Sequence, residues 1–353
     1  MHAQGEFVAD LIEASQRKLA RGALERQFAA PAEPATMRPG SPVGDWLRDT
    51  EVRLSCVANA LAAGAPELFA QHVAWMRKAF AGADVDPELL RANLVALRAE
   101  LSDALPAEHF ELVRACIARA ELELAGPPRE CPQPEQDDRW TQLAHRFLLA
   151  VLEARPEEGT ALLLDAQRAG ASIADLHARV ISRALTDIGG MWLRGEIHVA
   201  DEHLASNVVR EAMVLLRAAA PRAPRNGKRI LLASVPGNLH DLGVRMVGDQ
   251  LELAGFYVSF LGANTPARDL LAAAADSRPD LIALAVQLGV QVRTCAALIG
   301  LLRRELGREV PPILVGGGPF ASVPGLWRAV GADGSAPDAA AAVLEVSRLL
   351  PAG

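Results

Sequence analysis

In this chain of 353 residues, the types and spacing that could do chemistry concentrate in one short segment, Gly237-Asn238-Leu239-His240-Asp241-Leu242-Gly243. It directly follows the apolar run Ile230–Val235. An imidazole on a loop leaving a strand is a good ligand for a transition-metal ion, and Asn238 is placed to orient the ring through its other nitrogen. Residue types alone leave a second reading equally open, in which His240 only caps the helix that follows. Two further features stand out. Trp192 is followed, after nine intervening residues, by Glu202-His203, and Gly316-Gly317-Gly318 offers backbone with no side chains to block a close approach. Taken singly, these are a core tryptophan, a helix start and an ordinary loop. Cys56, Cys116, Cys131 and Cys295 lie far apart and form no CxxC pair, which argues against a structural zinc site and a disulfide framework. No nucleophile elbow, P-loop or zinc-protease helix is present, so the chain is not expected to be an enzyme in its own right.

The elements that must position these residues fall into three blocks, 1–135, 136–226 and 227–353, separated by two proline-rich breaks, Gly126–Pro134 and Pro221–Gly227. The first block is helical by periodicity. Phe69, Val73, Met76 and Phe80 form one apolar stripe and Leu90, Leu94, Leu97 and Leu101 another, with Asp86-Pro87 as a start signal for the second. Residues 29–44 hold four prolines and are expected to wander over the surface. The middle block reads as a four-helix unit. Ser172 serves as an N-cap, Ile181, Leu185, Ile188 and Trp192 share a stripe, Gly195 makes a break, and a last helix runs from about Val199 to Ala219. In the third block short apolar runs alternate with helical ones, which predicts a parallel, doubly wound sheet with ligands beyond the strand C-terminal ends. Its fifth strand is expected near Val330–Asp333. The fold class is therefore α/β plus all-α: a five-stranded parallel domain preceded by a four-helix cap and an N-terminal helical domain.

Composition narrows the function. A net charge of −7 argues against a nucleic-acid surface, since phosphate binding needs clustered Lys and Arg. No apolar stretch reaches the roughly 20 residues that span a bilayer, and Glu6, Asp10 and Glu13 interrupt the first 20 residues, where a secretory signal would be apolar. A cytoplasmic protein with no membrane partner is expected.

Asn238-Leu239-His240-Asp241-Leu242-Gly243 resembles the Asp-x-His-x-x-Gly motif of the cobalamin-binding fold shared by methionine synthase, corrinoid shuttle proteins and cobalamin-dependent mutases. Asn stands where that family has its first Asp. The resemblance implies that His240 displaces the cofactor's own base and becomes the lower axial cobalt ligand, with Asn238 orienting the ring but carrying no charge to tune it. It further implies that Ala285, Val286 and Gln287 lie beside the nucleotide tail, with Ala285 at a position the family gives to Ser. Gly316, Gly317 and Gly318 fit the family's glycine pair, and Gly331-Ala332-Asp333 with Ser335 and Asp338 is similar to its closing segment. The similarity spans roughly residues 139–353.

The Trp192 and Glu202-His203 spacing resembles the light-sensing cobalamin repressors of carotenoid genes. That implies adenosylcobalamin as cofactor, Trp192 over its upper face, and His203 as the upper cobalt ligand after light. Residues 1–135 show neither a helix-turn-helix pattern nor the basic charge one would need. They are instead similar to the helical extension of cobalamin photoreceptors without DNA-binding heads. Some of these, the photocobilins, also hold a bilin such as biliverdin. A bilin slot is expected to draw on His72, Trp75 and Arg77. The output is then a protein signalling partner or a second copy of the chain. The competing reading is a methyl-carrying corrinoid protein serving a methyltransferase, against which a bulky Trp192 over the upper face speaks. A mutase subunit would need a substrate barrel that this chain is too short to hold.

Overall fold

The computed structural model describes residues 3–28, 45–126 and 139–350. The proline-rich stretch at 29–44, the first linker beyond Gly126 and Cys131 lie outside the described residues. Six helices form the N-terminal bundle: α1 Ala3–Ala14, α2 Gln16–Gln27, α3 Trp46–Ala63, α4 Glu67–Gly82, α5 Pro87–Ala104 and α6 Ala107–Ala125. Local signals set their ends. Asp45 accepts from the backbone N–H groups of Leu47 and Arg48 at the start of α3, Asp86 accepts from that of Glu88 at the start of α5, and Gly64 closes α3 in the left-handed conformation. Both predicted stripes, on α4 and α5, are fully buried.

The cap follows: α7 Arg139–Leu152, α8 Pro156–Arg168, α9 Ile173–Asp175, α10 Ser182–Leu193 and α11 Val199–Ala219. A π-helical turn, Leu176–Ile181, joins α9 to α10 into one rod, so the unit has the four rods expected of it. Ser172 caps α9 through the Asp175 N–H, and Gly195 breaks the chain at a φ of 69°. Trp140, Phe147, Leu163, Val180, Ile188, Val209 and Met213 fill its core.

The third unit consists of β1 Arg229–Ser234, α12 Leu242–Leu253, β2 Tyr257–Phe260, α13 Ala267–Ser277, β3 Leu281–Ala285, α14 Val292–Leu306, β4 Ile313–Gly316, α15 Gly318–Ser322, α16 Leu326–Ala329, β5 Gly334–Ala336 and α17 Ala339–Leu349. All five strands are parallel, as expected, and their order is β2-β1-β3-β4-β5. The last strand lies beyond its predicted place, because Gly331 turns the chain at a φ of 82° and pairing begins only at Gly334.

Strand alternation divides the interior. Ile230, Leu232, Ala283 and Leu314 pack on one face against Leu251 and Val346. Leu231, Ala233, Ile282, Leu284 and Ile313 face the other way, into a cluster that continues through Leu298 and Ile299 of α14 to Leu54, Phe69 and Leu97 of the N-terminal bundle. Bundle and sheet therefore share one core. Among the described residues no helix is long and apolar enough to cross a membrane.

Candidate functional site

Register aligns Ser234 with Ala285, Ala285 with Gly316, and Gly316 with Ala336, so the loops after β1, β3 and β4 leave the sheet at one edge. Asn238 is buried at the foot of the first of these loops. Its Nδ2 donates to the Ala285 carbonyl at 3.1 Å, and its Oδ1 accepts from the His240 backbone N–H at 3.1 Å. The same Oδ1 lies 3.2 Å from His240 Nδ1. An amide oxygen facing a ring nitrogen requires that nitrogen to carry the proton, which leaves Nε2 as the ring's lone pair. Nε2 makes no hydrogen bond among the described residues, and the side chain is exposed. The helix-cap reading fails, since α12 begins after Asp241 with no side-chain cap.

The loop is braced further. Ser234 Oγ donates to the His240 carbonyl at 3.1 Å, Asn264 Oδ1 accepts from the Gly237 N–H at 2.7 Å, and Gln291 Nε2 donates to the Gly237 carbonyl at 3.0 Å. Leu239, Leu261 and Leu288, each in the loop after a different strand, stand exposed around this edge, with Leu239 at 74%. Three large apolar side chains held in water on one rim suit a broad apolar ligand laid over them. A Cβ on Gly243 would meet open space, so a side chain is missing there without any internal packing reason.

The cap supplies the opposite wall. Arg210 of α11 pairs with Asp241 at 2.9 Å, and Arg217 pairs with Asp249 at 3.3 Å and with Glu252. Burial raises the Asp249 carboxyl to about 6, against the pull of Arg217 and Arg245. His203, Arg210 and Arg217 recur at seven-residue spacing and share a helix face, which places His203 about 10 Å along α11 from the Asp241 contact. Its Nδ1 lies 2.7 Å from Glu202 Oε2, while Glu202 Oε1 accepts from Ser206 Oγ at 2.7 Å. Each of the two imidazoles thus has Nδ1 engaged by a neighbouring side-chain oxygen. Trp192 is half-buried against the core that bundle and sheet share, not the cap's own, and a Cβ on Gly82 of α4 would lie 2.3 Å from Arg194 Cα. Trp192 therefore marks the junction of cap and bundle.

Other predicted residues are placed as follows. Ala285, Val286 and Gln287 come together with Gly316, Gly317 and Gly318. A Cβ on Gly317, at a φ of 107°, would sit 2.0 Å from the Val286 carbonyl oxygen, so this glycine serves the contact between the two loops. Ser335 lies within β5, opposite Val315. Asp333 must be corrected: it precedes β5 at the far edge of the sheet, where it accepts from the Ile313 N–H and pairs with Arg303. Asp338 caps α17. Of the bilin candidates, His72 and Trp75 stack with centroids 6.0 Å apart. Arg77 is corrected too: its Nη1 donates to the carbonyls of Glu123, Leu124 and Gly126 at the end of α6. Five residues beyond His72, it projects about 140° around the helix.

Three residues escaped the sequence reading: Gln291, Asn264 and Arg53. Arg53 is wholly buried in the bundle. Its Nη1 donates to Thr50 and Asn93, while Nε and Nη2 find no partner, and burial pulls its guanidinium down to about 10. His72 Nε2 is likewise buried without a partner, and desolvation, with Arg53 nearby, lowers the ring to about 3. In sequence both look like residues of a solvated helix face.

A sheet edge that presents one oriented imidazole inside a leucine rim, facing a helical cap tied down by arginines, defines a corrinoid-binding module. Residues 228–344 match the B12 binding domain, and residues 143–217 match a second B12 binding domain model, so the chain carries cobalamin-binding domains and cobalamin is its cofactor. The chain is 34% identical over 206 residues to the HTH-type transcriptional repressor CarA of Myxococcus xanthus, covering 58% of this chain but only 65% of that protein. It is 26% identical over 212 residues to dimethylamine corrinoid protein 3 of Methanosarcina acetivorans, covering 59% of this chain and 97% of that one. Among solved structures, the monomethylamine corrinoid protein of Methanosarcina barkeri shares the fold, with a TM-score of 0.53 at 19% identity over 59% of this chain and 99% of that one. The stretch similar to CarA is less than two thirds of that repressor's length.

Proposed function

We propose that the protein is a light-responsive adenosylcobalamin sensor that signals through a protein partner or a second copy of itself, in the cytoplasm and without enzymatic activity of its own. The observation that carries this reading is the pairing of two oriented imidazoles. His240 offers Nε2 from the sheet edge. His203 is held by Glu202 on the cap face that reaches the same loop through Arg210. Adenosylcobalamin, when bound, supplies a cobalt–carbon bond that visible light breaks. His240 would hold the cofactor from below, Trp192 would shield its upper face, and His203 would engage that face once the adenosyl group has left. Because Trp192 packs at the junction with the bundle, a shift of the cap would reach the N-terminal helices directly. Protein reconstituted with adenosylcobalamin should change its absorption spectrum under green light, and His203→Ala should alter the illuminated spectrum alone. An adenosylated spectrum unmoved by light overturns the sensor.

Similarity to dimethylamine corrinoid proteins favours the second reading, a methyl carrier. It predicts methyl transfer from a methylamine or methanol system. A bilin as second chromophore draws support from the unpartnered Arg53 and His72 nitrogens inside the bundle, which suit a propionate and a pyrrole. A long-wavelength band in the purified protein would establish it.

A further inference from the structure

His240 is aimed by Asn238, and the loop that carries them leaves the strand through a tight turn, Val235-Pro236-Gly237-Asn238, closed by the Asn238 N–H donating to the Val235 carbonyl at 3.0 Å. Gly237 has a φ of 80°, and a Cβ built on it would meet open space. A glycine in open space has the widest backbone freedom available, so beyond the turn's own bond this hinge depends on side-chain hydrogen bonds to its N–H and its carbonyl. On one side the Gly237 N–H donates to Asn264, and on the other its carbonyl accepts from Gln291.

Gln291 is the buried one of this pair, 5% exposed. Both ends of its amide are engaged: Oε1 accepts from the backbone N–H groups of Gln287 at 3.1 Å and Leu288 at 3.0 Å, while Nε2 donates to the Gly237 carbonyl. One side chain thus locks the loop after β3 to the loop after β1. Its own position is set from the N-terminal bundle. Two residues on, the Arg293 N–H donates to Asn59 Oδ1 of α3 at 2.9 Å, and the Arg293 guanidinium pairs with Asp10 and Glu13 of α1.

We infer that Gln291 is a positioning residue for the cobalt ligand, holding the Gly237 hinge so that His240 presents Nε2, and that the N-terminal bundle sets Gln291 in place. This inference rests on the reading of His240 as the lower ligand. Nitrogen ligation splits the electron paramagnetic resonance lines of cob(II)alamin, and labelling the protein's histidines with ¹⁵N distinguishes imidazole from the cofactor's own base.

The test loads full-length, ¹⁵N-histidine-labelled protein with cob(II)alamin and measures both this splitting and the affinity. In the parent chain the ¹⁵N pattern is expected, and in His240→Ala its loss. If His240→Ala keeps the pattern, the lower-ligand reading falls and takes this inference with it. In Gln291→Met, similar in size but without hydrogen bonds, binding should weaken about tenfold and a fraction of the cofactor should lose the ¹⁵N splitting. Gln291→Glu keeps the acceptor for Gln287 and Leu288 but loses the donor to Gly237, which separates aiming the hinge from folding the turn. Its splitting should also diminish, and the thermal unfolding midpoint, measured alongside and lowered by the buried carboxylate, shows that the variant is folded at the temperature of the spectrum. If both variants retain the parent's splitting and affinity while His240→Ala loses the splitting, the positioning role is wrong.

Discussion

The cobalamin-binding unit is held from two sides by unlike means. Toward the N-terminal bundle it shares a continuous apolar core, from Leu231 and Leu284 of the sheet through Leu298 of α14 to Phe69 and Leu97. Toward the cap it has a smaller apolar contact, Met246 buried and Leu242, Leu253 and Ala339 partly buried, and beside it carboxylates paired to two arginines of α11. Apolar burial is not screened by salt and is lost only when the structure opens. Partly exposed ion pairs contribute roughly 0–1 kcal/mol each and are screened by salt. The bundle is therefore the firmer of the two attachments and the cap the looser, which suits the proposed sensor, in which the cap moves while the sheet edge stays fixed.

That contrast can be broken at several points. Phe69→Ala should have the largest effect, about 3–5 kcal/mol of lost stability, and should lower bundle and sheet together in one urea transition. A separate bundle transition would show that the shared core does not couple them. Phe147→Ala, buried in the cap's own core, should instead melt the cap while the sheet persists, as near- and far-ultraviolet dichroism would reveal.

Acid should act on both regions through their buried histidines. Burial lowers His72 to about 3 and His177, in the π-helical turn of the cap, to about 4. Below its ordinary value near 6.5 the unfolded chain takes up protons that the folded chain refuses. Stability contributed by these neutral rings is therefore full above pH 6.5 and falls as pH drops, by up to about 1.4 kcal/mol per pH unit for each ring. Urea midpoints at pH 7 and pH 5 should differ accordingly, and His72→Phe should remove the bundle's share. An unchanged acid sensitivity in that variant would reassign the effect.

Arg210→Gln, which removes the ion pair to Asp241, should loosen the cap by about 1 kcal/mol or less, reducing cobalamin affinity several-fold. Raising the salt should do the same to the parent protein. Indifference to salt would mean that the ion pairs do not hold the cap. Asn59→Ala should have the smallest effect, a slight weakening of cobalamin binding with the bundle still folded, since it removes one hydrogen bond to the start of α14.

Much of this was legible in the chain itself. Helical stripes, the cap at Ser172, the break at Gly195 and the His240 loop all depend on near neighbours, and periodicity and residue type report those. What depended on distant partners was not legible. Arg77 was available to a ligand until the end of α6 took it, and Asp333 pointed to the cofactor edge until parallel register put it at the other one. Gln291 carried no signal, because its role comes from a carbonyl 54 residues away.

Sequence alone thus determined the element types, the parallel α/β plan and the imidazole proposed as the cobalt ligand, all read from local pattern and side-chain chemistry. Tertiary structure decided which nitrogen of His240 is free, which side chains brace it, and that one neighbour shares a large apolar core while the other adds ion pairs to a small one. Those outcomes depend on which groups meet when the chain closes, and desolvation acts only on groups that have met.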